Sequence, residues 1–331
     1  SAGNDFPWRV TDQLRNFGVA LAIMFVMANL SPQLLMRLAV PIYLVGVGLL
    51  VATAVGGVIV KGAQRWLDIG IGRIQPSEIM KLGLPLMLAW YFHRREGGLR
   101  TLDFIVAAVI VLVPVALIAK QPDLGTALLV LAAGSFVIFF AGLPWKWLAV
   151  MIVAGIASLP LAWTLMHDYQ RERVLTLIDP STDPLGKGFH TLQAMIAIGS
   201  GGVFGKGWMQ GTQTHLEFIP ERTSDFIFAV YSEEFGLVGN VVLLLLFGAL
   251  IWRALAIALN APTQFARLLA AAIGLIVFTY AFVNMGMVSG ILPVVGVPLP
   301  FISYGGTALV TLGMACGMLM SISANRKLVQ S

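Results

Sequence analysis

Residues 102–120 read LDFIVAAVIVLVPVALIAK, a continuous apolar run. About 20 such residues in a helix cross a hydrocarbon core of about 30 Å. The run is too long and unbroken for a strand of a membrane β-barrel, whose shorter segments alternate in polarity. A helix satisfies its own backbone donors and acceptors in lipid, so the run is read as a membrane-spanning helix. Outward from it, similar runs recur at roughly 14–30, 38–58, 77–92, 124–142, 147–166, 226–251, 266–290 and 304–323, giving nine in all. The expected fold is an all-α polytopic integral membrane protein with nine transmembrane helices, forming a single membrane domain over residues 1–331.

Composition agrees. The chain has 331 residues, 58% of them hydrophobic, against about 45–50% in soluble proteins. Charged residues make up 11%, against about 25%. Mean hydropathy is +0.87. A soluble protein so poor in charge could not cover its surface, and a disordered or collagen-like chain is excluded for the same reason. The single cysteine, Cys316, lies in the last apolar run, so no disulfide forms within the chain. His93, His167, His190 and His215 show no metal-ligand spacing. No secretory signal is visible, and the first residue is Ser.

Residues 167–225 break the rhythm as a long polar loop, with eight glycines between Gly186 and Gly211. Apolar islands such as residues 195–198 argue that it packs. On the face opposite that loop gather Arg37, Arg94, Arg95, Arg100, Lys146, Arg253, Arg267, Arg326 and Lys327, against Glu96 and Asp103. Cytoplasmic loops are rich in Lys and Arg, which puts this basic face in the cytoplasm and the long loop outside. The sequence pI of about 9.5 then reflects membrane sidedness and does not imply nucleic-acid binding.

Ionisable groups at spans are costly and usually functional. Four places carry them, all on the face of the long loop. The first is Lys61-Gly-Ala-Gln-Arg-Trp66, followed by Arg73. The second is Gln75-Pro-Ser-Glu-Ile-Met-Lys81, where Pro76 and Ser77 suit a helix start and Glu78 and Lys81 share one face. The third is Gln121-Pro-Asp-Leu-Gly-Thr126. The fourth is Pro220-Glu-Arg-Thr-Ser-Asp225, where Thr223 or Ser224 can cap a helix and Asp225 falls in its first turn. Each has a plain structural alternative: an ion pair for Glu78 and Lys81, an N-cap for Asp123, a helix-start carboxylate for Asp225, and an interfacial tryptophan for Trp66. Glu233 and Glu234 read as interfacial, since residues 235–251 alone give a nearly full uncharged span.

In these motifs the chain resembles the SEDS family (shape, elongation, division and sporulation) over essentially its whole length. Further motifs carry the resemblance: Asp179-Pro through Asp183-Pro-Leu-Gly, Ile198-Gly-Ser-Gly-Gly202, Asp225-Phe-Ile-Phe228, Glu233-Glu234 and Leu299-Pro-Phe-Ile-Ser-Tyr-Gly-Gly306. Asn284-Met-Gly-Met-Val and Leu292-Pro-Val-Val-Gly-Val-Pro298 look like the cell-elongation branch of the family rather than its division branch. The resemblance implies ten spans in the full family member, with both termini cytoplasmic and Ser1-Ala-Gly as the end of the first span. It implies glycosyltransfer from lipid II, the undecaprenyl-diphosphate-linked disaccharide-peptide, in the bacterial cytoplasmic (inner) membrane, with the active site facing the extracytoplasmic side. Asp225 would be the essential catalytic aspartate, Glu78, Lys81 and Asp123 would line the cavity with it, and Trp66 would lie in the functional first loop. A class B penicillin-binding protein is the implied partner. The family usually reads His-Thr-Asp where this chain has Thr223-Ser224-Asp225, so no acid–base role falls to a histidine there.

The chemistry suits these residue types. An α-linked diphosphate becomes a β-1,4 bond, so one inverting displacement suffices. A diphosphate leaves readily when its charge is neutralised, so one base plus cations is enough. Asp225 is the expected general base, with Ser224 beside it in the cavity. Lys81, Arg65, Arg73 and Lys120 are the diphosphate candidates, Arg65 the weakest. A divalent metal ion, Mg or Mn, could share the load on Asp225 or Asp123; no organic cofactor is expected. The lipid tail must enter sideways, and Gly46, Gly48, Gly134, Gly286 and Gly290 would permit close packing or a groove. Two other readings stand beside this one: a lipid II flippase, and a non-catalytic scaffold for the penicillin-binding protein. A transporter should carry midplane charges and repeat symmetry, and neither is visible.

Overall fold

The computed structural model describes residues 7–60, 63–68, 70, 73–166, 168–178, 187–212 and 223–325. Lys61, His167, Asp179, Asp183, His215, Glu221, Arg326 and Lys327, all singled out from the sequence, lie outside them.

Each of the nine expected segments coincides with a helix. In chain order these are α1 (Pro7–Ala28), α2 (Pro32–Gly56), α3 (Pro76–Arg94), α4 (Thr101–Lys120), α5 (Leu124–Phe140) and α6 (Trp145–Leu165), then α9 (Ile227–Leu259), α10 (Gln264–Val288) and α11 (Gly306–Ala324). Six of them, α1, α2, α4, α9, α10 and α11, are long and apolar enough to cross a membrane; α5 and α6 supply shorter apolar stretches.

Two expectations are corrected. The chain is not purely helical: β1 (Val58–Val60), β2 (Ala63–Asp68) and β3 (Arg73–Ile74) form a small antiparallel sheet in the order β1-β2-β3. Its register pairs Val58 with Trp66, and Leu67 with Ile74. Strands of two to six residues carry too few alternations for periodicity to reveal them. The segment read as a long loop contains two helices, α7 (Asp168–Ile178) and α8 (Lys187–Ser200). Of residues 195–198, which argued for packing and lie on α8, Ala197 is fully buried and Ile196 is exposed; the neighbouring Ala194 is fully buried.

The chain divides into two compact units. One holds residues 8–141, 247–280 and 305–331. Its centre is α3, which begins with Pro76 at its first position, carries Glu78 in its first turn and ends on His93 and Arg94, as the helix dipole favours. It is buried on more than one face: Met80, Leu84, Leu88 and Phe92 on one stripe, and Leu82, Leu86 and Ala89 on others. In lipid, packing rather than water exclusion joins helices, so small residues set the approach. A Cβ on Gly46 of α2 would lie 2.4 Å from the Met80 sulfur. One on Gly134 of α5 would lie 2.7 Å from Val111 and 3.0 Å from Leu84. Gly48, expected in the same role, faces open space. At the far end of α3, buried Asp103 accepts from Tyr91 Oη at 3.1 Å, from Arg95 Nη1 at 2.5 Å and from the Arg100 N–H at 2.8 Å, which fixes the turn into α4.

The other unit holds residues 142–246 and 281–304, with the first seven residues. Within it α9 is interrupted at Gly236, whose φ of 64° and ψ of −159° are not helical. The break strands donors and acceptors that a buried helix must satisfy. Residues 202–207 satisfy them. The N–H groups of Lys206 and Gly207 donate to the carbonyls of Glu233 and Glu234, and those of Leu237 and Val238 donate to Gly202 and Val203. The approach is so close that a Cβ on Gly205 would lie 2.1 Å from the Glu234 oxygen.

Candidate active site

The carboxylate of highest interest, Asp225, is half-buried in a turn over residues 223–226. Helix α9 starts at Ile227, so Asp225 precedes the helix rather than lying in its first turn. Its backbone is held from the segment 284–304. The Thr223 carbonyl accepts from the Tyr304 N–H at 2.8 Å. The Ser224 carbonyl accepts from Ser303 Oγ at 2.6 Å, and the same hydroxyl accepts from the Leu299 N–H at 2.7 Å. The Asp225 carbonyl accepts from Asn284 Nδ2 at 2.9 Å. Ser224, expected beside the base, is half-buried and spends its carbonyl on this brace. Gly286 and Gly290 pack here as expected: a Cβ on either would lie 2.8 Å from Leu292 or Met195 respectively.

Further along, Glu233 is fully buried and Glu234 is 2% exposed, so both lie inside the protein. Glu233 Oε1 accepts from Lys206 Nζ at 2.7 Å, Thr212 Oγ1 at 3.1 Å and Ser200 Oγ at 3.4 Å. A buried carboxylate needs such a cation and donors, because desolvation of an unpaired charge is prohibitive. The loop that mends the interrupted helix thus also neutralises it.

The second cluster belongs to the unit centred on α3. Lys81 Nζ and Glu78 Oε1 lie 2.6 Å apart, on residues three apart in one helix turn. Lys81 is 4% exposed. Glu78 Oε2 accepts from Thr311 Oγ1 at 3.1 Å, and the Lys81 ammonium stands 5.1 Å over the Tyr280 ring. The ion-pair geometry expected from the spacing is therefore present, extended by two residues that the sequence did not mark. Asp123 caps α5: its Oδ1 accepts from the Thr126 N–H at 3.2 Å. Its Oδ2 accepts from Gln75 Nε2 at 3.3 Å and lies 3.8 Å from Arg65 Nε. Arg65 Nη2 also donates to the Pro122 carbonyl at 2.5 Å.

The four expected cations thus separate. Lys81 is buried and paired, Arg65 is committed to Asp123 and Pro122, and Arg73 and Lys120 are exposed. Trp66 is half-buried on β2. Sequence reasoning missed Tyr280 and Thr311 as partners, since each sits inside an apolar run with no pattern to flag it. Asn284 did leave a signal, a carboxamide in an apolar helix, although it was noted only as part of a motif. Among the described residues no group of three or more His, Cys, Asp or Glu could hold a metal ion.

The family described as "Cell cycle protein", FTSW_RODA_SPOVE, matches residues 4–328. The peptidoglycan glycosyltransferase MrdB of Escherichia coli K12 is 51% identical over 318 residues, 96% of this chain and 86% of that protein. The stage V sporulation protein E of Bacillus subtilis strain 168 is 36% identical over 269 residues, 81% of this chain and 73% of that protein. Among solved structures, a chain from work on structural coordination of polymerization and crosslinking by a peptidoglycan synthase complex superposes with a TM-score of 0.84 at 34% identity, covering 99% of this chain and 93% of that one. The rod shape determining protein RodA of Thermus thermophilus superposes with a TM-score of 0.74 at 30% identity, covering 100% and 91%.

Proposed function

The chain belongs to the FtsW, RodA and SpoVE family of cell cycle proteins and is a peptidoglycan glycosyltransferase, and on that premise we propose that it polymerises lipid II into glycan strands for cell elongation, with Asp225 as the proton acceptor. The observation that carries the reading is identity of 51% across 96% of the chain with a peptidoglycan glycosyltransferase. It is an integral membrane protein. We place it in the bacterial cytoplasmic (inner) membrane with nine spans in this chain, α3, α5 and α6 among them, and with the active site on the extracytoplasmic side. A class B penicillin-binding protein crosslinks the strands it makes.

The reaction is a single displacement. The 4-hydroxyl oxygen of the acceptor sugar attacks the anomeric carbon of the donor from the face opposite the diphosphate. The new C–O bond forms as the bond to the diphosphate breaks, and the configuration inverts from α to β. The hydroxyl proton passes to Asp225, and the lipid diphosphate leaves with the electron pair. General-base catalysis of this kind contributes about 10²- to 10⁴-fold. The exposed Arg73 and Lys120 suit the diphosphate, where preorganised positive charge stabilises the leaving group. Lys81 is already paired with Glu78.

A divalent ion suits Asp123 poorly, because its oxygens already accept from the Thr126 N–H and Gln75 Nε2 and the Arg65 guanidinium beside it repels a second cation. Asp225, half-buried in its turn, is the carboxylate that would hold one: Mg²⁺ is commonly held by one carboxylate together with substrate phosphates and water. Bound there, it would add positive charge at the leaving diphosphate.

The test is to incubate the purified protein, with its transpeptidase partner, with labelled lipid II and a divalent cation, then resolve glycan chains on a gel. Polymer from wild type and none from Asp225→Asn is the expected result. Equal polymer from both overturns the role of Asp225.

A further inference from the structure

We propose that Asn284 and Gly296 are positioning residues for Asp225: one anchors its backbone, the other bounds its carboxylate, and neither reacts. The proposal rests on the reading of Asp225 as the base. Three successive carbonyls, those of Thr223, Ser224 and Asp225, each accept a hydrogen bond from the 284–304 segment. The one at Asp225 comes from a side chain that is fully buried on α10.

Asn284 Nδ2 carries two hydrogens, and both are used. One goes to the Asp225 carbonyl at 2.9 Å, the other to the Val297 carbonyl at 2.7 Å. This fixes which end of the carboxamide faces them, since its oxygen would meet two acceptors. The carboxamide therefore ties the turn bearing Asp225 to the loop bearing Gly296. Gly296 stands at φ +75°, and a Cβ there would lie 3.2 Å from Asp225 Oδ2. Glycine at this place leaves the carboxylate oxygen its room, because an added methyl would press on it.

The catalytic demand explains the construction. A general base works within about 2.6–3.2 Å of the proton it takes. Misplacement by about 1 Å costs on the order of 10²-fold. Asp225 lies in a turn, outside the regular helix, and a turn holds its carboxylate only as well as its neighbours allow. A merely structural carboxamide would serve the fold and leave turnover untouched.

The experiment compares wild type, Asp225→Asn, Asn284→Ala, Gly296→Ala and the Asn284→Ala/Gly296→Ala double variant, each in complex with the transpeptidase partner. Initial polymerisation rates are taken over a range of lipid II concentrations, with a melting temperature for each protein. Each single variant is expected to keep KM within about threefold and to lose about 10- to 100-fold in kcat. The double variant is expected to lose less than the product of the two, because both act on one carboxylate. Unchanged kcat in the single variants overturns the proposal. So does a loss shared by kcat, KM and melting temperature alike. If Asn284→Ala does not fold, Gly296→Ala decides alone by the same criteria. Wild-type polymerisation by Asp225→Asn overturns the base reading and this proposal with it. A silent Asp225→Asn beside fully active Asn284→Ala and Gly296→Ala overturns this proposal alone.

Discussion

Glu78 divides its two carboxylate oxygens between a cation of its own helix and a hydroxyl from another: Oε1 takes Lys81 Nζ at 2.6 Å and Oε2 takes Thr311 Oγ1 at 3.1 Å. The pair is thus both a local helix-turn interaction and a junction between α3 and α11. Buried as it is, its energetics are those of a desolvated pair, where breaking one partner is worse than removing both.

Lys81→Met is therefore expected to destabilise the protein by about 3–5 kcal/mol, and the Glu78→Gln/Lys81→Met double variant by less. Melting temperatures in detergent of wild type, Glu78→Gln, Lys81→Met and the double variant check this as a thermodynamic cycle. Polymerisation by the double variant separates structure from catalysis. Full activity confines the pair to a structural role, and loss of activity in a well-folded double variant assigns it to the reaction.

Asp225→Asn is expected to lower polymerisation by about 10²- to 10⁴-fold while leaving the melting temperature unchanged. The brace on this turn holds backbone carbonyls, which the substitution leaves in place. A lost melting transition in the variant would reassign Asp225 to the fold.

Gly205→Ala and Gly236→Ala are each expected to cost about 2–5 kcal/mol, from overpacking together with left-handed backbone strain. The added methyl at 205 meets the Glu234 oxygen at 2.1 Å, and that at 236 meets the Gly205 nitrogen at 2.3 Å. Lys206→Met, which takes away the cation 2.7 Å from the buried Glu233, is expected to fall in the same range. Melting temperature and yield after purification report all three, and a neutral result at Gly205 would mean that the loop seats differently on the interrupted helix.

Enzyme and flippase separate in detergent. Leaflets vanish in a micelle, so polymer formed there needs no transport step. Wild type is expected to polymerise lipid II in detergent, and Asp225→Asn is not, which also excludes a contaminating polymerase. No polymer from either protein, with lipid II movement in vesicles that survives Asp225→Asn, would make the chain a transporter.

The sequence by itself determined the nine apolar helices, because about 20 apolar residues in lipid leave the backbone one way to satisfy itself. It also determined the Glu78–Lys81 pair and the Asp123 cap, because both join residues three apart, where helix geometry alone brings side chain to partner. What it left open joins residues far apart in the chain. The Tyr280 ring over Lys81, the Thr311 hydroxyl on Glu78 and the Asn284 carboxamide on Asp225 span 199, 233 and 59 positions. No local period encodes such distances. The burial of Glu233 inside the protein was equally hidden: two adjacent carboxylates before an uncharged run read as a membrane-interface boundary, and nothing local shows the Lys206 counter-ion or the break at Gly236. A charge next to an apolar run takes whichever environment offers a counter-ion and donors, and only the tertiary structure supplies them.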